Sequence, residues 1–144
     1  LEKARQAGLA IPEFYISNGF FETPVIVDPI NPFTLRGRVA LKQTRAKSVG
    51  KSLTRNYTYA ICCQELPPGS RVGYFRSVLG WSALAKHREL SAQVWKTFNI
   101  PLARVRIIQL TSGETLLSDI SLLPLDTLGA REVAYLEERV RWVS

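Results

Sequence analysis

Few residues in this chain are of a type that does covalent chemistry. One histidine, His87, and two adjacent cysteines, Cys62 and Cys63, stand among 144 residues. A Ser-His-Asp relay needs a base held between a nucleophile and an orienting acid, and no GxSxG elbow presents a serine to His87. HExxH, CxxC, Walker and GxGxxG patterns are absent. Two cysteines and one histidine fall short of a four-ligand structural zinc site. Neighbouring side chains on a strand point to opposite faces, so Cys62 and Cys63 are not expected to form a disulfide. They read as reduced, small apolar residues, which places the chain in a reducing, cytoplasmic compartment. A metal-dependent nuclease would need Asp28, Glu65 and Asp119 to converge at strand ends. No cofactor and no metal is expected.

Charge is more informative than chemistry. The net charge is +7. No acid lies between Pro29 and Gln64, while Arg36, Arg38, Lys42, Arg45, Lys47, Lys51 and Arg55 all do. The remaining twelve cations are matched by the twelve acids, so the excess sits in one segment. Such a footprint is expected of an anionic partner. Tyr57 and Tyr59 follow directly and are candidates for stacking on unpaired bases.

The elements that must position these residues read as one α+β domain over residues 1–144, trimmed from a longer chain since it starts at Leu1 and holds no Met. A mainly antiparallel sheet of about five to six strands with two main helices packed on it is expected. No apolar run approaches the ~20 residues of a membrane helix. A short helix covers the start, followed by strands at Phe14–Ile16 and Pro24–Pro29, a loop at Asn31–Thr34 and an edge strand at Arg38–Lys42. Residues 46–54, rich in Ser, Gly and Lys, carry no assigned structure. Tyr57–Leu66 and Val72–Trp81 are apolar on both faces and read as central strands, joined as a hairpin by Pro67-Pro68-Gly69-Ser70. Ser82 is the expected cap of a helix to Asn99 whose apolar face carries His87, Leu90, Val94, Trp95 and Phe98. Arg104–Leu110 and Thr115–Ile120 form a second hairpin about Ser112-Gly113. A last helix, capped by Asp126 or Thr127, turns Val133, Leu136, Val140 and Val143 inward and sets Glu137 against Arg141.

The order of LEKARQAGLAIP, a strand ending in Asp28-Pro29, a basic loop with Gly37, a strand ending in Gln64-Glu65, and the late ARVRII and LLSDIS strands resembles the nucleotide-binding lobe and closing segment of ATP-grasp ligases. The departures fall on the chemistry that the resemblance implies. Asp28 stands where that family places a phosphate-binding Lys, the loop holds one Gly, and Asp119 is followed by Ile120-Ser121 in place of the metal-binding Asn. The resemblance therefore implies a degenerate, non-catalytic relative.

The expected function is a non-catalytic basic module that contacts RNA or DNA phosphates through Arg36, Arg38, Lys42, Arg45, Lys47, Lys51 and Arg55. The alternatives are an assembly subunit docking an acidic protein surface through the same residues, and the degenerate ATP-grasp-like domain.

Overall fold

The computed structural model describes residues 1–30 and 37–140. The expected loop at 31–34, Arg36, Arg141 and Val143 lie outside the described residues. The fold is α+β and its sheets are antiparallel, as expected. The described strands fall into two sheets, of four and three strands, in two compact units.

One unit spans Pro12–Ser70. Its strands are β1 (Phe14–Ser17), β2 (Val25–Pro29), β3 (Arg38–Ala40) and β4 (Ile61–Glu65), in the order β1-β4-β2-β3. The β3 strand is at the edge, as expected. The sheet's inner face carries Val25, Val27, Ala40, Ile61 and Cys63, packed with Phe21, Ala46 and Leu53. Ala46 and Leu53 belong to α2 (Ala46–Leu53), a helix that fills the stretch left unassigned from sequence.

The other unit joins Leu1–Ile11 to the chain from Arg71 onward. It holds α1 (Glu2–Gln6), β5 (Arg71–Val78), α3 (Arg88–Phe98), β6 (Leu102–Gln109), β7 (Thr115–Leu122) and α4 (Ala130–Val140). The sheet order is β5-β6-β7. Val94 of α3 packs with Phe75, Ala103, Val105, Ile107 and Leu117, and Ala4 and Leu9 complete that core. The β6–β7 hairpin turns at Ser112-Gly113 as expected, with Gly113 at φ 91.

Four expectations are corrected. The turn at Pro67–Ser70 forms, with the Ser70 amide donating to the Pro67 carbonyl at 3.1 Å and Gly69 at φ 74. It does not make a hairpin. Both edges of β4 are taken, by β1 and β2, so β5 pairs with β6 instead. β4 is thus central, as its two apolar faces required, whereas β5 is an edge strand. Secondly, Tyr57 and Tyr59 are not on a strand: Arg55, Asn56 and Tyr57 take left-handed φ values of 49, 59 and 64 in a turn that ends α2. The Thr54 hydroxyl organises that turn, donating to the Gly50 carbonyl at 2.6 Å and accepting from the Tyr57 amide at 2.8 Å. Thirdly, α4 buries Glu132 and leaves Val133 and Val140 exposed. A glutamate–arginine tie decides that facing. Glu132 Oε1 accepts from Arg76 at 2.7 Å and from the Gly129 amide at 2.8 Å, so Glu132 caps the helix in place of Asp126 or Thr127. Helix α3 also starts later than expected: Ser82 Oγ accepts from the Leu84 amide at 3.3 Å, and a 3-10 turn at Ala85–His87 comes before the helix.

Candidate functional site

The basic segment folds around α2. Ala46, Gly50 and Leu53 recur at i, i+4 and i+7 and are buried, so Lys47 and Lys51, four apart, are left on the exposed side. Gly50 lets the helix approach the neighbouring turn. A Cβ there would lie 2.1 Å from the Gly19 carbonyl oxygen. The 3-10 turn Gln43–Arg45 that leads into α2 is held by Gln43, whose Nε2 donates to the Phe21 carbonyl at 3.0 Å. Its Oε1 accepts from the Thr23 amide at 3.0 Å and the Thr23 hydroxyl at 3.2 Å. One side chain therefore ties the entry of the helix to the 21–24 loop.

Arg38, Lys42, Arg45, Lys47, Lys51 and Arg55 are all exposed. The first five make no ion pair among the described residues. They do not share one hollow. Arg38, Lys42 and Arg45 line a groove of about 360 Å³ together with Val39, Ala40, Leu41 and Val49. Lys47 lines a larger cleft of about 790 Å³ with Tyr15, Phe20, Gln43 and the acids Glu22 and Glu65. Lys51 and Arg55 line neither. Sequence reading missed the groove, because Val39 and Leu41 belong to a stretch, 38–42, that reads only as an edge strand. It also missed Phe20, which is 77% exposed and stacks on Tyr57 with centroids 5.8 Å apart and rings 9° from parallel. One face of Tyr57 is thereby covered. Tyr59 is half-buried.

His87 is buried and stacks on Phe75 at 4.6 Å, as expected of a core histidine. Burial, and secondarily Lys86, lowers its pKa. Cys63 is buried in the sheet core, and Cys62 is on the other face. Burial, and then the adjacent Cys62, pushes the Cys63 thiol up to about 11. Neither cysteine is in a disulfide. Asp28 pairs in register with Cys62, and Glu65 with Val25, so these two acids lie on opposite faces of one sheet and do not converge.

No family model matches the sequence, and no curated protein matches it. Solved structures do. The chain is similar to the ATP-grasp ligase PsnB solved with precursor peptide PsnA2 and AMPPNP, at 14% identity and TM-score 0.56, over 94% of this chain and 50% of that one. It is similar to D-alanine–D-alanine ligase from Helicobacter pylori at 12% identity and TM-score 0.64, over 94% and 57%. It is also similar to the macrocyclase MdnC bound with precursor peptide MdnA from Microcystis aeruginosa, at 16% identity and TM-score 0.62, over 98% and 57%. The likeness is one of fold, and the chain spans a little over half the length of these proteins.

The residues fit neither a nucleotide's phosphates nor their metal in the way the resemblance implies. Asp28 presents a carboxylate where a cation is expected, and its Oδ1 lies 2.0 Å from where a Cβ on Gly37 would be. Asp119 is directly opposite Arg106 on β6, a cation that is 6% exposed and whose Nε donates to Ser118 Oγ at 2.8 Å. A buried guanidinium beside a lone carboxylate opposes a second cation there. The Ser121 hydroxyl donates to the Arg104 carbonyl at 3.4 Å. Among the described residues no three His, Cys, Asp or Glu side chains are grouped to hold a metal. No helix of the described residues is long and apolar enough to cross a membrane.

Proposed function

We propose that this chain is an ATP-grasp-like module that works by binding and not by ligation, and that the basic surface around α2 docks an acidic polypeptide. The observation that carries the reading is the set of five exposed, unpaired cations, Arg38, Lys42, Arg45, Lys47 and Lys51, on and beside one helix. Arg55 and Arg36 extend the same acid-free stretch in the sequence. Unpaired surface cations steer an acidic partner and set its orientation more than they add raw affinity. Two similar structures, PsnB and MdnC, were solved with peptides, which supports a polypeptide as the partner of this scaffold. Asp28 at the expected lysine position, and Arg106 opposite Asp119, argue against phosphoryl chemistry. A nucleic-acid partner is less well supported, because Tyr57 is already stacked on Phe20.

The test is fluorescence anisotropy across a salt series with three probes of equal length: an acidic peptide, single-stranded RNA and duplex DNA. A variant with Arg38, Lys42, Arg45, Lys47 and Lys51 changed to Ala is run beside the native chain. Peptide binding that the variant loses by roughly tenfold or more is expected. ATP with magnesium is expected to leave the melting temperature unchanged, since only a ligand of the native state raises it. Binding of RNA but not peptide, with a salt slope of about −0.7 per phosphate contacted, would overturn the reading in favour of nucleic acid.

A further inference from the structure

Strand β3 pairs with β2 on one side and, among the described residues, with nothing on the other. An exposed edge offers backbone donors and acceptors to any extended chain, and proteins usually blunt it. Here the strand is only three residues long and has Arg38 at its start and Lys42 just beyond its end, which deters a basic or neutral strand and leaves the edge to an acidic one. Val39 is 47% exposed and Leu41 66%; Val39 faces away from Ala40, which packs on the α2 side, and all three line the groove at this edge with Val49 of α2. The rim is uniformly cationic: Arg38 at one end, Lys42 at the other and Arg45 from the helix side. None of the three is paired with an acid among the described residues.

Each feature limits the occupant. The edge selects an extended backbone. Alternate residues of an added strand point to opposite faces of the sheet, so one set meets the face that carries Val39 and the other the face that carries Arg38. Three cations without acids select carboxylates. A second copy of this chain would bring three more cations to the same rim, and like charges facing each other are destabilising. We infer that the groove between β3 and α2 takes an extended partner segment of alternating apolar and acidic residues as an added strand. This rests on the reading that the chain docks an acidic polypeptide, and it names where and in what conformation.

The probe is a fluorescein-labelled octapeptide of alternating Glu and Val, measured by anisotropy on the full chain. Three further peptides are compared: octa-Glu, the same Glu/Val composition in two blocks, and the alternating peptide N-methylated at every second residue on its pairing edge. The alternating peptide should bind tightest, and N-methylation, which deletes the strand's donors without touching the protein, should weaken it roughly tenfold. Arg38→Ala, Lys42→Ala and Arg45→Ala should each weaken it about two- to fivefold, and Leu41→Ser to a similar degree. These residues are exposed, so the variants should fold, and circular dichroism is the check. Lys47→Ala with Lys51→Ala serves as the second arm. If only that pair reduces binding, or if octa-Glu or the N-methylated peptide binds as well as the alternating one, the groove inference is overturned while acidic docking stands. If no acidic peptide binds at low salt, both fall.

Discussion

Gly50→Ala is a sensitive test of how α2 is seated. In an exposed helix interior this change is stabilising by about 1 kcal/mol, because Ala restricts the unfolded chain and Gly does not. Here the added Cβ would lie 2.1 Å from the Gly19 carbonyl oxygen, against 3.4 Å for an ordinary contact, so the two backbones must part by roughly 1.3 Å. Neither side gives easily. The Gly19 turn is held by Ser17, whose hydroxyl accepts from the Gly19 amide at 3.2 Å and the Phe20 amide at 3.1 Å and donates to the Phe20 carbonyl. On the helix, Leu53 is 1% exposed and Ala46 7%, so a shift of α2 opens the core beneath them. Overpacking of this kind costs about 3 kcal/mol at the upper end, and after the propensity gain a net loss near ~2 kcal/mol remains. In a chain of this size that corresponds to a melting temperature lower by roughly 5–10 °C. Thermal and urea unfolding followed by circular dichroism would measure it. Ser48→Ala, on the exposed side of the same helix, is the control and should be neutral or slightly stabilising. If Gly50→Ala is as stable as the native chain or more so, the close approach of α2 to the 17–20 turn is refuted, and with it the placement of the cations that α2 carries.

Glu132→Ala should destabilise the chain by about 1–3 kcal/mol, since it removes the cap of α4 and the partner of Arg76, whose own side chain is 43% exposed and can rehydrate; Glu132→Gln keeps the acceptor for Gly129 and should cost less in the same urea titration. His87 has a folded-state pKa below 6.5, so the unfolded state binds its proton first. Stability should therefore fall as pH drops below about 6.5 and level off once pH passes the folded value, and in Tm measurements between pH 7.5 and 5 His87→Phe should show a shallower fall. Cys63, with its thiol pushed up to about 11, should resist a disulfide reagent at pH 8 until the chain is unfolded, so that native titration reads at most one thiol, that of Cys62.

What could be read from the sequence was whatever depends on local chemistry. The β6–β7 hairpin was legible because Ser112-Gly113 sits between two alternating apolar runs and only Gly takes φ 91 without strain. The turn at Pro67–Ser70 was legible for the same reason. That it fails to pair its flanking strands was not, because pairing depends on whether an edge is free, and β1 and β2 claim both edges of β4 from distant parts of the chain. Helix α2 was hidden because Ser48, Val49, Gly50 and Ser52 dilute its propensity, and its stability comes from the packing of Ala46, Gly50 and Leu53. The facing of α4 was misread because a periodicity of valines competes with a buried carboxylate that already has two partners. Of the basic site, the membership was legible and the partition was not. Charge counting names seven cations, but only three-dimensional placement separates Arg38, Lys42 and Arg45 from Lys47, which shares its cleft with Glu22 and Glu65.

That partition bears on what the fold can do. The larger of these two hollows carries acids of its own, so an acidic ligand entering beside Lys47 meets Glu22 and Glu65 as well. The smaller groove has no acid on its wall. Volume therefore favours the first and electrostatics the second. For a peptide the second should win, because a carboxylate placed among like charges costs several kcal/mol, whereas two backbone hydrogen bonds and a few apolar contacts at an edge are already enough to hold a short strand weakly. Weak, oriented capture through an edge strand is a task an ATP-grasp-like scaffold can perform with Asp28 at the expected lysine position and Arg106 opposite Asp119. Capture of that kind uses the sheet's geometry and a cationic rim, and it requires neither a bound metal nor a phosphate.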